Sequence, residues 1–191
     1  MKHISSLGGR ALLLVLALAL VLGGVLGGTL AWLSARTAPV TNTFTTSDID
    51  ITLEESDGLD LKMVPGCTVT KDPKVSVAAG SEACYLFVKL EKSANFDAFM
   101  TNTVADGWTA LDGVDGVYYR TVAAADMGTA YSVLKDDQVT VKDTVTKEMM
   151  NALTDATRPT LTVTAYAAQM MKNNTESFTA AEAWANVNPT A

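Results

Sequence analysis

The chain has 191 residues, with 14 lysines and arginines against 21 aspartates and glutamates, a formal charge of −7, and 48 % apolar residues. This composition suits a chain that buries a core rather than a disordered one, and its acidic balance argues against a phosphate-binding nucleic-acid protein. The only histidine is His3, so a chain processed downstream of it has no imidazole for a common zinc site or a His-based catalytic dyad or triad.

The N-terminus reads as an export signal. Lys2 and Arg10 flank a short polar start, and Ala11 to Leu22 is an unbroken apolar run of 12 residues. Gly23-Gly24-Val25-Leu26-Gly27-Gly28 then breaks helix propensity. Thr29-Leu30-Ala31 offers small residues at both ends, which places the cut between Ala31 and Trp32; Leu33-Ser34-Ala35 is a second option. The alternative is a retained signal helix. From Ala11 to Ala35 there are 25 residues without charge, enough to span a bilayer. Membrane contact is expected only through this segment. Cleavage after Ala31 leaves 160 residues with a charge of −9, enough for one domain with a proper core.

Strand signals dominate the rest of the chain. After a flexible stretch from Ser34 to Asn42, the segment Thr43 to Leu53 alternates, with Phe44, Ile49, Ile51 and Leu53 as its apolar positions. Val64-Pro65-Gly66 turns, and Thr68 to Thr70 is a short strand stopped by Asp72-Pro73. Lys74 to Ala78 alternates through Val75 and Val77 and is expected to form a hairpin with Cys84 to Leu90. That second segment is apolar on both faces and therefore central. Trp108 to Leu111 and Val117 to Arg120 flank a glycine-rich turn and predict another hairpin. Tyr131 to Leu134, Val139 to Val145 and Leu161 to Ala167 complete the strands. Three helical pieces interrupt them: Asn95 to Thr101; Thr146 to Thr157, with Met149, Met150 and Leu153 at helical spacing; and a helix opened by the capping box Thr179-Ala180-Ala181-Glu182, which Phe178 can staple and which carries Trp184 to the sheet. The expectation is a mainly β, antiparallel β-sandwich or jelly roll with a few short helices.

Residue chemistry points away from catalysis and cofactors. Ser132 and Lys135 have Ser-x-x-Lys spacing, but in a strand positions three apart face opposite ways. Glu54/Glu55 and Asp136/Asp137 read as solvated turns rather than acid–base pairs. Asp112 and Asp115 lie in a glycine turn whose spacing is not that of an EF-hand. Asn173-Asn174-Thr175 matches an N-glycosylation sequon, a short pattern of little specificity. The aromatics Tyr85, Phe87, Trp108, Tyr118, Tyr119 and Tyr166 read as core rather than a carbohydrate platform. Cys67 and Cys84 leave two alternatives: a disulfide closing a loop of roughly 17 residues and adding about 3 kcal/mol, or two buried free thiols.

Gly27-Gly28-Thr29-Leu30-Ala31-Trp32, Thr43-Phe44-Thr45 and Asp48-Ile49-Asp50-Ile51-Thr52-Leu53 resemble the TasA/camelysin family of exported Gram-positive proteins. Val64 to Pro73, Gly80 to Glu91, Asp106-Gly107-Trp108 and Gly116 to Tyr119 resemble a branch of it from anaerobic Firmicutes. The glycine-rich signal end, the small-residue cut and the aromatic after it are the specific part of this likeness. The resemblance implies a jelly roll, processing by a SipW-type signal peptidase, and self-association into biofilm-matrix fibres. In fibre-forming members a freed N-terminal segment adds as a strand to the next subunit. The corresponding donor segment here is Trp32 to Phe44, including Leu33 and Val40, with Pro39 removing one N–H; the other reading of this stretch is a tether. Camelysin-like members are sometimes labelled metalloproteases, but this chain has no His-Glu-x-x-His, so no metal site is expected. The expected role is that of an exported, non-enzymatic protein of the cell surface or matrix. The alternative is a membrane-anchored surface domain that binds a carbohydrate or a protein.

Overall fold

The computed structural model describes residues 13–18, 48–56 and 62–188, and the chain divides into one unit of Met1–Thr45 and another of Thr46–Ala191. In the first unit, residues 13–18 are helical and expose Leu13, Leu14, Val15, Leu16 and Leu18. No helix among the described residues is long and apolar enough to cross a membrane.

The second unit is mainly β. Its strands are β1 (Ile51–Glu54), β2 (Thr68–Thr70), β3 (Lys74–Val77), β4 (Cys84–Lys92), β5 (Met100–Thr101), β6 (Thr109–Ala110), β7 (Val117–Val122), β8 (Ala130–Ser132), β9 (Gln138–Val141) and β10 (Leu161–Gln169). Three short helices accompany them: α1 (Phe96–Phe99), α2 (Lys147–Asn151) and α3 (Ala180–Val187). The pairings between strands are antiparallel and form three sheets, ordered β1-β3-β8, β10-β4-β7-β6 and β2-β9-β5.

The centre is β4. It pairs with β10 over nine positions, from Leu161↔Lys92 to Gln169↔Cys84, and with β7 on its other side. Because strand side chains alternate, Cys84, Leu86, Val88 and Leu90 face one way and join Val75 and Val77 of β3 in one buried cluster. Phe87 faces the other way and joins Val117, Ala168, Ala183 and Trp184 in a second. The neighbouring β10 divides likewise: Leu161, Val163, Ala165 and Ala167 pack on the first cluster, Tyr166 and Ala168 on the second. A strand apolar on both faces needs a layer on each. The sheet β1-β3-β8 covers one, and α3 covers the other.

This arrangement corrects the expected hairpin of β3 with β4. Instead, β3 pairs with β1 and β8. Only one face of β3 is fully buried, at Val75 and Val77, so it serves β4 better as a layer above it than as a neighbour beside it. The turn at Ala79-Gly80, with Gly80 at φ +93°, carries the chain from one sheet to the other. The hairpin of β6 with β7 forms as expected, with Thr109↔Tyr119 and Ala110↔Tyr118 in register.

Helix α3 is fixed by its first turn. Thr179 Oγ1 accepts from Glu182 N at 3.3 Å, and Glu182 Oε2 accepts from Thr179 N at 2.8 Å. Trp184 then lies 5.3 Å from the Phe87 ring and 5.0 Å, edge-on, from Tyr166. Lys172 Nζ sits 2.6 Å from Glu182 Oε1, and this contact, with the donors of Thr179, holds the Glu182 carboxyl down at about 2.

The long helix expected from Thr146 to Thr157 is only α2. Thr146 caps it by accepting from Met149 N, but the chain leaves the helix at Ala152. Thr157 Oγ1 then accepts from Thr154 N at 2.8 Å, a local turn that competes with further helix. Met149, Met150 and Leu153 still pack against a third cluster, built from Phe96, Phe99, Met100, Val139, Val141 and Val145.

The sheets β1-β3-β8 and β2-β9-β5 share two runs of chain. Lys74 faces Ser132 and Thr70 faces Gln138, so three residues, 71–73, lie opposite five, 133–137. Two hydrogen bonds bridge this bulge: Val133 N donates to Pro73 O at 3.0 Å, and Lys71 N donates to Asp137 O at 2.8 Å. Asp136 and Asp137 absorb the extra length at φ +55° and +53°. Nearby, Arg120 of β7 lays its guanidinium 3.6 Å from the centre of the Tyr131 ring in β8, with Trp108 at 5.4 Å, and so pins the four-stranded sheet to the one above it.

This packing makes two outcomes testable. Gly116 sits at φ +72°, and a Cβ there would lie 2.5 Å from Leu90 O, so Gly116→Ala should lower stability by at least about 2 kcal/mol in urea unfolding. The Glu182 carboxyl is depressed from 4.5 to about 2, so its contribution is present above pH 4.5 and lost as pH falls toward 2. Across that window the melting temperature should fall more steeply for the native chain than for Glu182→Gln.

Candidate functional site

Two features of the second unit offer surfaces for recognition. The first is a sheet edge. β10 lies at the end of the order β10-β4-β7-β6, and among the described residues it pairs only with β4. The edge strands β2, β5, β6 and β8 are two or three residues long. β10 runs for nine, and its sequence Leu-Thr-Val-Thr-Ala-Tyr-Ala-Ala-Gln has no charge, no proline and no glycine. Such a strand lacks the usual devices that keep an edge from pairing with another chain. β1, which carries Glu54, approaches β10 without a ladder between them.

The second feature is a cleft of about 360 Å³ at one end of the sandwich. Leu90 of β4 and Tyr118 of β7 form one wall, Val104 and Asn102 the other, and Asp115 and Gly116 the rim. Leu90 N donates to Gly116 O at 2.8 Å and fixes that rim. Lys92 also borders the cleft, but its ammonium is engaged 2.9 Å from Asp97 and lies over the Phe96 ring. Asn102 Oδ1 is buried without a partner. Asp115 is exposed and has no ion pair or hydrogen bond among the described residues. A smaller polar hollow of about 110 Å³, lined by Thr101, Lys135, Gln138 and Thr140 among others, shares Asn102 with it.

The residues singled out in the sequence fall in different places. Ala31, Trp32, Leu33, Val40 and Phe44 lie outside the described residues, so the cleavage site and the donor segment do too. Cys67 and Cys84 are not bridged: both thiols are free. Cys84 begins β4 with its side chain fully buried in the core, whereas Cys67 is exposed beside the turn at Pro65-Gly66. The alternative of two buried thiols therefore holds for Cys84 alone. Burial pushes the Cys84 thiol up to about 11.

Ser132 ends β8 and Lys135 begins a 3-10 turn, where its ammonium points to Asp106 at 4.0 Å. Glu55 pairs with Lys71, and Asp137 with Lys74. Asp112 and Asp115 lie in an exposed turn, and no group of three potential metal ligands occurs among the described residues. Asn173 Oδ1 accepts from the N–H groups of Thr175 and Glu176 and shapes a tight turn. The aromatics Tyr85, Phe87, Tyr119 and Tyr166 pack under α3, and Trp108 and Tyr118 pack on the opposite cluster. Of these six only Tyr118 also lines the cleft. Nothing in the sequence marks Asn102 or Leu90 as lining a cleft, because they come from separate segments that meet only in the folded chain.

No protein-family model matches the chain, and neither does a curated protein or a solved structure.

The contrast between the thiols is measurable. In the native state a maleimide at mildly alkaline pH should add once, at Cys67, within minutes. A second adduct, at Cys84, should require denaturant, as read by intact mass and peptide mapping.

Proposed function

We propose that the protein is an exported, non-enzymatic structural component of the cell surface or extracellular matrix of a Gram-positive bacterium, and that it assembles into fibres by strand addition. The observation that carries this reading is the nine-residue uncharged edge of β10, a template whose outward backbone groups a further strand would satisfy. The donor is the segment from Trp32 to Phe44 of a neighbouring copy, freed when a SipW-type signal peptidase cuts after Ala31. Thirteen extended residues reach about 43 Å and β10 spans about 30 Å, so the donor is long enough to cover the edge. Pro39 costs it one N–H, which an edge position tolerates. The jelly-roll reading rests on the regular short strands and on the family resemblance that also carries the export route.

A second reading keeps the N-terminal segment as a membrane anchor for a surface domain that binds a carbohydrate or a protein. The helical residues 13–18, which expose six apolar side chains, favour it as an apolar surface that lipid could cover.

Protein recovered from culture decides between the two. A mature N-terminus at Trp32 together with filaments in electron micrographs is the expected result; a start at Met1 in the membrane fraction without filaments would overturn it. Thr164→Glu adds a charge to the β10 edge while facing its β4 partner Lys89, so it should leave the melting temperature nearly unchanged and abolish filaments. Deletion of residues 32–44 should do the same.

A further inference from the structure

We propose that the cleft between Leu90, Val104 and Tyr118 binds a neutral pyranose sugar, a role separate from assembly and independent of the β10 edge. The argument rests on which polar groups at the cleft are spent and which are free. Lys92, the one cation that borders it among the described residues, is already engaged with Asp97 and the Phe96 ring, so no cation is left there to demand an anionic ligand. The uncommitted polar groups, the Asn102 amide, the Asp115 carboxylate and the Tyr118 hydroxyl, include donors as well as acceptors. Hydroxyl groups, each both a donor and an acceptor, can meet all three.

The remaining wall is apolar. Leu90, Val104 and Tyr118 offer apolar surface to carbon, while the polar partners are Asn102 in the wall and Asp115 at the rim. A ring with hydroxyl groups around its edge and C–H groups on one face matches both demands, and a volume of about 360 Å³ accommodates one such ring with its glycosidic neighbour left in solvent. Gly116 keeps the mouth in place, because its carbonyl accepts from Leu90 N and its φ of +72° sets the turn that carries Asp115. The carboxylate of Asp115 can accept two vicinal hydroxyls, one on each oxygen.

The test is titration of the full chain with the methyl glycosides of glucose, galactose and N-acetylglucosamine, observed through backbone amide shifts. At least one glycoside should saturate, with shifts centred on Asn102, Asp115 and Tyr118. Because Tyr118 also packs against the core, Asp115→Ala is the variant that separates binding from folding. Its melting temperature should match the native chain, and its affinity should drop by at least about tenfold. The proposal fails if none of the three glycosides saturates, if the shifts map elsewhere, or if Asp115→Ala binds as the native chain does. It also fails if butylammonium, a cationic donor without hydroxyls, binds the same residues more tightly than every glycoside.

Discussion

The structure depends on one constraint: β4 is too apolar to face water on either side. Its residues from Cys84 to Leu90 point buried side chains in both directions, and a sheet alone hides neither face. Every larger feature answers that demand. β10 and β7 satisfy its backbone, the sheet β1-β3-β8 covers one surface, and α3 brings Trp184 and Ala183 to the other. Full burial of one side chain the size of Phe87 is worth on the order of 2–3 kcal/mol, and β4 contributes several such buried side chains. The same demand explains why Cys84 is sequestered. It occupies the first core position of β4, and its thiol is free there, as is that of the exposed Cys67.

The surfaces left over are those the core does not use. β10 has given one edge to β4 and both faces to the two clusters, which leaves its outer backbone as its one unused interaction among the described residues. The cleft lies where the first cluster runs out, at the end of β4, and there Leu90 and Tyr118 pass from core to wall. The recognition proposed at these places would need no dedicated element. It would use the margins of the packing.

Much of this architecture is legible in the sequence. The double-sided apolar run of β4, the glycine hairpin of β6 and β7, and the Thr179–Glu182 capping box each carry a local signal, and each forms. Partner choice is less legible. Val75 and Val77 have the alternation of a hairpin neighbour, and nothing local reveals that their strand lies above β4 instead of beside it. The pattern after Thr146 overstates its helix, because the spacing of Met149, Met150 and Leu153 is also met by a short helix followed by a hydroxyl-closed loop. The cleft is invisible for a different reason: its walls come from residues 90, 102–104 and 115–118, which approach one another only through tertiary structure.

The bulge between residues 71–73 and 133–137 bears on how the chain finds its alignment. It offsets the pairing of β2 with β9 by two residues relative to that of β3 with β8. Side chains repeat every two residues along a strand, so a ladder that ran straight through would keep every apolar residue on its proper face. Hydrophobic patterning is therefore blind to this error, and discrimination falls to the backbone. Pro73 cannot donate to a straight ladder, and Asp136 and Asp137 tolerate the left-handed turn that stores the surplus. Three residues outside the apolar clusters thus act as the proofreading element for the junction between two sheets.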